Sequence, residues 1–207
     1  RNGKDIDGLI KALKHQDIGI RMNAAYAIGD VGDRKGVEPL IELLKDPIQG
    51  WGIKMAAATS LGKLHDERAI EALEALATGK DSISADAAII AIARIRGDAP
   101  SLIEALATGR GDIVSRVGAI IELGNLHDAR AVEPLIGMLK AQYYDEYERG
   151  NILLRVITAL GDFGDERAIE PIGNYLNDRI DIVRKAAREA LEKIEARKSI
   201  PPPPPPL

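Results

Sequence analysis

The chain predicts an all-α fold, a right-handed α-α superhelix of about six helix pairs, and three observations carry that expectation. The first is a segment Leu/Ile-Gly-x-x-x-Asp-x-x-x-Ile/Val-Glu-Pro/Ala-Leu/Ile that returns about every 30 to 37 residues. It stands at Ile28-Gly29…Asp33…Val37-Glu38-Pro39-Leu40 and again at Leu61-Gly62…Asp66…Ile70-Glu71-Ala72-Leu73. Further copies are Leu123-Gly124…Asp128…Val132-Glu133-Pro134-Leu135 and Leu160-Gly161…Asp165…Ile169-Glu170-Pro171-Ile172. Such a period marks a solenoid, in which each unit buries its apolar face only against its neighbours. The second is helical spacing after each Asp: Val37, Leu40, Ile41 and Leu44 form one stripe, and Val132, Leu135, Ile136 and Leu139 form its equivalent. The third is composition: 29% charged but only 3% aromatic, rich in aliphatics and Ala, which suits closely packed helices and argues against disorder.

The first helix of each pair carries the Pro of the motif (Pro39, Pro134, Pro171), and a residue without an N–H is tolerated only in the first turn. These helices are therefore expected to start near 37, 132 and 169, with the Asp closing a tight turn just ahead. The second helices are expected at 18–31, 50–64, 82–96, 112–126, 149–163 and 180–196. Asp17, Ser82, Asp112 and Asp178 stand near their starts as candidate caps. Small pairs such as Ala24-Ala25, Ala57-Ala58 and Ala186-Ala187 let neighbouring helices approach closely. A basic residue recurs eight positions before the motif Gly or its equivalent, as Arg21, Lys54, Arg116 and Arg184. Arg116 is within helical reach of Asp112. The third copy, Arg94-Ile95-Arg96-Gly97-Asp98-Ala99-Pro100, reaches its Leu102 about three residues early, which predicts a shortened first helix. An insertion, 141–148, enters the fourth unit. The last helix is heavily charged, as a cap facing water should be. The stacking pattern has no internal seam, so one repeat domain (1–197) and a proline-rich tail (198–207) are expected.

The totals exclude several classes. The 207 residues carry a net charge of −4, so there is no bulk positive field for a nucleic-acid backbone or an anionic membrane. With no cysteine, disulfides, thiolate catalysis and Cys-ligated metals are absent. No apolar run approaches the roughly 18 to 20 residues of a membrane span, and a cytoplasmic setting is expected. The chain begins at Arg1, which fits a processed protein or an excised fragment.

Read at Gly124–Leu135 and Gly161–Ile172, the form Gly-x-x-x-Asp-x-Arg-Ala-Ile/Val-Glu-Pro-Leu/Ile resembles the HEAT-like repeats of the phycobilisome-lyase family, over roughly residues 4–197. That resemblance implies a fold shared by chromophore lyase subunits, di-iron deoxyhypusine hydroxylases and many prokaryotic scaffolds, so function must be argued from sites. The hydroxylases hold iron with His-Glu pairs. Here His15, His65 and His127 are followed by Gln16, Asp66 and Asp128, and no His-Glu dipeptide exists. His65 and His127 share the slot that Gly32 and Gly164 fill elsewhere, a turn position, which favours a backbone-bonded His over a shared metal. Ser60, five residues before His65, sits on an Ala-rich packing helix and is a poor nucleophile candidate. Gly109-Arg110-Gly111-Asp112 is a short turn and no phosphate loop. Asp33, Asp66, Asp128 and Asp165 recur because each turn needs one, and a catalytic group has no reason to repeat. Some HEAT-like proteins cradle DNA on a basic face, a charge this chain lacks. No catalytic residue, cofactor or metal ligand is assigned.

What remains is recognition of another protein. Of seven aromatic residues (one Trp, five Tyr, one Phe), Tyr143, Tyr144 and Tyr147 crowd into the insertion. Tyr combines rigid contact area with a polar tip, so these three are candidate partner-binding residues, the alternative being a helix extension folded onto its own unit. Trp51, between Gly50 and Gly52, is read first as a plug between repeats and otherwise as a rim anchor. Helix 82–96 is apolar almost all round and is read as buried between repeats, or as a self-association face on the concave side. Pro201–Pro206 favour a polyproline II rod: a linker, or a ligand for an aromatic-lined groove. The leading function is a non-catalytic scaffold, with a bilin lyase-type subunit as the alternative.

Overall fold

A computed structural model describes residues 5–109, 113–143 and 145–198. Among them are twelve α-helices and no strand, the helical-repeat α-α superhelix class that the periodicity predicts. The chain forms two compact units, one ending at Ala119 and the next beginning at Ile120.

The first unit holds α1 (Ile6–Ala12), α2 (Ile18–Val31), α3 (Val37–Lys45), α4 (Trp51–Leu64), α5 (Ile70–Ala77), α6 (Ser82–Arg96), α7 (Ala99–Ala107) and the start of α8 (Ile113–Leu126). Within each pair the shorter first helix packs on the longer second one, α1 on α2, α3 on α4 and α5 on α6. Successive second helices stack more extensively, α2 on α4 and α4 on α6. Their crossing explains the motif Gly. A Cβ on Gly29 would lie 2.9 Å from the Ser60 Cα, and one on Gly62 would lie 3.0 Å from the Ala91 Cα, so any side chain forces the helices apart. The residue before that Gly (Ile28, Leu61) and the Leu that closes the motif (Leu40, Leu73) are completely buried.

Between pairs, the motif Asp does what its spacing predicts. Asp33 and Asp66 accept backbone N–H bonds from Lys35 (2.9 Å) and Arg68 (3.2 Å), capping a three-residue 3₁₀ turn that runs directly into α3 or α5. The α-helices begin at Val37 and Ile70, which puts Pro39 in the first turn as required. Ahead of the Asp the chain reverses through the left-handed region, at Gly32 (φ 75°) and at His65 (φ 48°), so His65 occupies a slot glycine fills without strain.

The third junction departs from expectation. Helix α7 spans nine residues, as α3 does, so it is not shortened. What is missing is the three-residue 3₁₀ turn. Gly97 reverses the chain (φ 62°), and Asp98 caps α7 directly through the Ser101 N–H at 3.3 Å. Three residues before Gly97, where the other copies place Gly, stands Arg94, buried to 7% exposure. Gly118 of α8 leaves it room, since a Cβ there would meet its guanidinium at 2.8 Å.

The second unit holds the rest of α8, then α9 (Val132–Leu139), α10 (Glu146–Phe163), α11 (Ile169–Gly173) and α12 (Asp181–Lys198). The same rules recur. Asp128 and Asp165 cap 3₁₀ turns through Arg130 (3.0 Å) and Arg167 (2.9 Å). Gly124 faces the Ala159 Cβ at 3.3 Å, Gly161 faces that of Ala190 at 2.7 Å, and Leu123, Leu135, Leu160 and Ile172 are fully buried. The short first helix is α11, of five residues. Helix α10 starts at Glu146, three residues before the expected 149, because Asp145 caps it through the Glu148 N–H at 2.7 Å, so the end of the insertion is helical. Helix α12 buries Val183, Ala186, Ala187, Ala190 and Ile194 and turns Lys185, Arg188, Glu189, Glu192 and Lys193 outward, as a capping helix should.

Candidate recognition surface

The two kinds of connection in each unit both use capping aspartates but differ in what they expose. At the turns between pairs every Asp of the motif is engaged. The Arg68 guanidinium folds back on Asp66 (2.8 and 2.9 Å) and also reaches Glu38 of the previous pair at 3.0 Å. Arg167 repeats this on Asp165 and on Glu133 at 2.9 Å, and Arg130 closes on Asp128. The Arg68 side chain holds the Asp66 carboxyl down to about 2, and Arg130 does the same for Asp128. These aspartates are cap and clip, not general acids. Lys63–Asp30 (2.7 Å) and Lys193–Asp162 (2.6 Å) add ties between successive second helices.

Within pairs, the recurrent basic residue has a structural task. Arg21 donates to the carbonyls of His15 (2.7 Å) and Gln16 (2.8 Å), and Arg184 donates to those of Asp178 (2.7 Å) and Arg179 (3.2 Å). Each gathers the loop ahead of its own helix. Arg149 pairs with Asp178 through both guanidinium nitrogens, and that hydrogen-bonded contact lowers the Asp178 pKa and raises that of Arg149. The predicted caps behave unevenly. Asp17 caps α2 (Ile20 N–H, 3.0 Å), Asp81 takes the role given to Ser82 (Ser84 N–H, 2.9 Å), Asp178 receives the Ile180 N–H, and Asp112 lies outside the described residues.

These loops and the first turns of the second helices expose large apolar side chains. In the first unit these are Ile18, Ile20, Ile48, Trp51 and Ile83, with Ile48 88% exposed; in the second they are Tyr147 and Ile182. A cavity of about 360 Å³ opens in the first unit, floored by Ile10, Leu13, Pro39 and Leu43 and edged by Arg21, Glu42, Asp46 and Ile48. Asp46 accepts from the Gln49 side chain (2.7 Å) and the Ile48 N–H (2.9 Å), which lowers its pKa and fixes the loop carrying Ile48. A second cavity, about 190 Å³, shares Gln49 and is bounded by Trp51, Lys54, Leu76, Lys80 and Ser84.

Trp51 is not the plug expected of it. It is the first residue of α4 and 55% exposed. The tyrosines are not gathered into one patch. The Tyr143 hydroxyl donates to the Met138 carbonyl and the ring is half-buried, Tyr147 is 74% exposed on α10, and Tyr144 lies outside the described residues. Helix α6 is buried against its neighbours along Ala87, Ala88, Ile90 and Ala91, while Ile89, Ile92 and Ile95 are part-exposed. Ile18, Ile48 and Ile83 were not singled out as candidates; their signal is position, apolar residues beside the cap and out of phase with the buried stripe. The His127 ring Nδ1 lies 3.1 Å from the Asn125 carbonyl, a turn role, and the described residues contain no metal-binding cluster. No described helix is long and apolar enough to cross a membrane.

The profile for HEAT repeats matches residues 6–93 and 99–192, and the chain belongs to that family. No curated protein matches it. Among solved structures it is similar to a designed armadillo repeat protein, at 19% identity over 92% of this chain and all of that one (TM-score 0.50). It is also similar to the CpcE–CpcF complex of phycocyanin lyase from Nostoc sp. PCC7120 (24%, 95% and 68% covered, TM-score 0.48) and to human deoxyhypusine hydroxylase (18%, 92% and 84%, TM-score 0.44). The armadillo likeness speaks for fold alone, and the other two are too distant to bear on activity.

Proposed function

We propose that this chain is a non-catalytic scaffold for protein–protein interaction. The observation that carries the reading is the contrast between connections: the recurrent aspartates are held in turns, while Ile48 stands 88% exposed beside a 360 Å³ cavity lined by Ile10, Leu13, Pro39 and Leu43. Exposed apolar anchors next to a concavity are what a partner side chain fills. In the second unit Tyr147 is the corresponding exposed anchor, and the Tyr143–Tyr147 element is its proposed contact region. The test is affinity capture from native lysate with Ile48→Ser and with Tyr147→Ser. Loss of a captured partner with an unchanged thermal melt supports the reading, and capture indifferent to both variants refutes it.

A second reading, a bilin lyase-type subunit of the phycobilisome-lyase family, is supported by the motif at Gly124–Leu135 and Gly161–Ile172. Tetrapyrrole titration decides it: saturable, stoichiometric binding favours the lyase reading, and a flat titration removes it.

A further inference from the structure

We propose that the 360 Å³ cavity of the first unit is a carboxamide-binding site, and that the partner group it takes is the side chain of a glutamine. This rests on the scaffold reading of that cavity and names the chemistry of what fills it.

Two polar atoms of the lining residues are left over. Gln49 gives its amide nitrogen to Asp46 (2.7 Å), so its Oε1 is turned away from the carboxylate; flipping the amide would set two acceptors face to face. That Oε1 is buried, and among the described residues it is the one buried side-chain carbonyl without a donor. Arg21 spends Nη1 on the carbonyls of His15 and Gln16, and its buried Nε–H has no acceptor among the described residues. Folded chains rarely keep such atoms unanswered. The rest of the cavity is apolar and balanced in charge. Ile10, Leu13, Pro39 and Leu43 form the floor, and Lys14 and Arg21 offset Glu42 and Asp46. His15 adds no charge, since its Nδ1 accepts the Asp17 N–H at 3.0 Å and so carries no proton. The occupant is therefore neutral. One water would serve both orphan atoms but leave the floor wet, in a space many times the roughly 30 Å³ a water takes in the liquid. What meets every condition is a slender group with an apolar stem and a tip that both donates and accepts. A primary carboxamide does so: its N–H goes to Gln49 Oε1 and its carbonyl takes the Arg21 Nε–H. Because both atoms lie buried, a side-chain tip suits them better than a broad backbone peptide group. Glutamine joins that tip to a stem long enough to lie on the floor.

The test uses the full chain and pentanamide, a small primary carboxamide, followed by the methyl NMR shifts of Ile10, Leu13 and Leu43. Saturable binding with a Kd of roughly a millimolar is expected for so small a ligand. Butyl methyl ketone keeps the shape and the carbonyl but has no N–H for Gln49, and pentanoate brings a charge that the cavity does not balance. Each should bind at least about tenfold more weakly. In Gln49→Met, its fold checked by circular dichroism, the preference for amide over ketone should vanish. The peptide acetyl-Ala-Ala-Gln-Ala-Ala-N-methylamide should displace pentanamide, and the same peptide with Met in place of Gln should not. A flat pentanamide titration overturns the proposal. So does equal binding of amide and ketone by the unaltered chain, which would mean an apolar hollow alone. Displacement by neither peptide, or by both alike, overturns the glutamine assignment. The scaffold reading is judged separately: loss of capture in Ile48→Ser with a flat pentanamide titration keeps the scaffold and removes glutamine, whereas capture indifferent to Ile48 and Tyr147 refutes the scaffold whatever the titration shows.

Discussion

The turn from α4 to α5 and the loop from α3 to α4 are equal in length, and each has an Asp that accepts the N–H two residues on, yet they present different side chains to solvent. In the first, Asp66 caps, Arg68 clips Asp66 and reaches Glu38, and His65 reverses the chain. In the second, Asp46 and Gln49 brace a short loop whose purpose is to hold Ile48 and Trp51 in solvent. Repetition therefore marks what the stack needs to stand, and departure from repetition marks what it can offer to others.

The largest effect should come from closing the gap between second helices. Gly161→Val places carbon where the Ala190 Cα and Cβ already sit within 2.8 Å, and overpacking of this kind should cost about 3 kcal/mol. Urea unfolding followed by circular dichroism measures it; a loss below that of an exposed-site control would mean that the crossing is loose. Next is Arg149→Ala, which leaves Asp178 without its two charge-assisted bonds; about 2 kcal/mol is expected from the same measurement.

Acid should act on the turns through Asp66 and Asp128 and on the loops through Asp46 and Asp178. Asp66 and Asp128 titrate near 2 in the folded chain against an ordinary 3.8. Their contribution is thus complete above about pH 4 and is lost as pH falls toward 2. Asp66→Asn should flatten that part of the stability profile, whereas Ile48→Ser should leave it unchanged. A profile steep at pH 6 would contradict the assignment. The smallest expected effect is His65→Gly. Removing a side chain from the left-handed slot relieves about 1 kcal/mol, which the entropy of a free glycine mostly offsets. A thermal melt within a few degrees of the parent is expected.

The architecture was legible because the constraints that build it are local and periodic. Pro39, Pro134 and Pro171 can occupy only a first turn, so the starts at Val37, Val132 and Ile169 followed directly. The third junction was misjudged because an early Leu102 has two causes, a shorter helix or a missing 3₁₀ turn, and spacing cannot separate them. Arg94 was opaque for a related reason: a charged residue in a glycine slot reads as decay until Gly118 is seen to make room for it. Trp51 was misplaced because size suggests burial, whereas it stands at the first position of α4, at the mouth of the helix. The rim isoleucines escaped notice because an apolar residue beside a cap looks, in a helical repeat, like the first step of the buried stripe.

The third junction also sets how freely the chain can be re-edited. Copies bounded by the Asp–Arg clip carry their own fastenings, so a segment running from one such turn to the next could be duplicated or deleted with its contacts intact. Arg94 and Gly118 break that interchangeability, because each is viable only in the company of the other. Lengthening or shortening this protein should therefore succeed on either side of that pair and fail when a cut parts them.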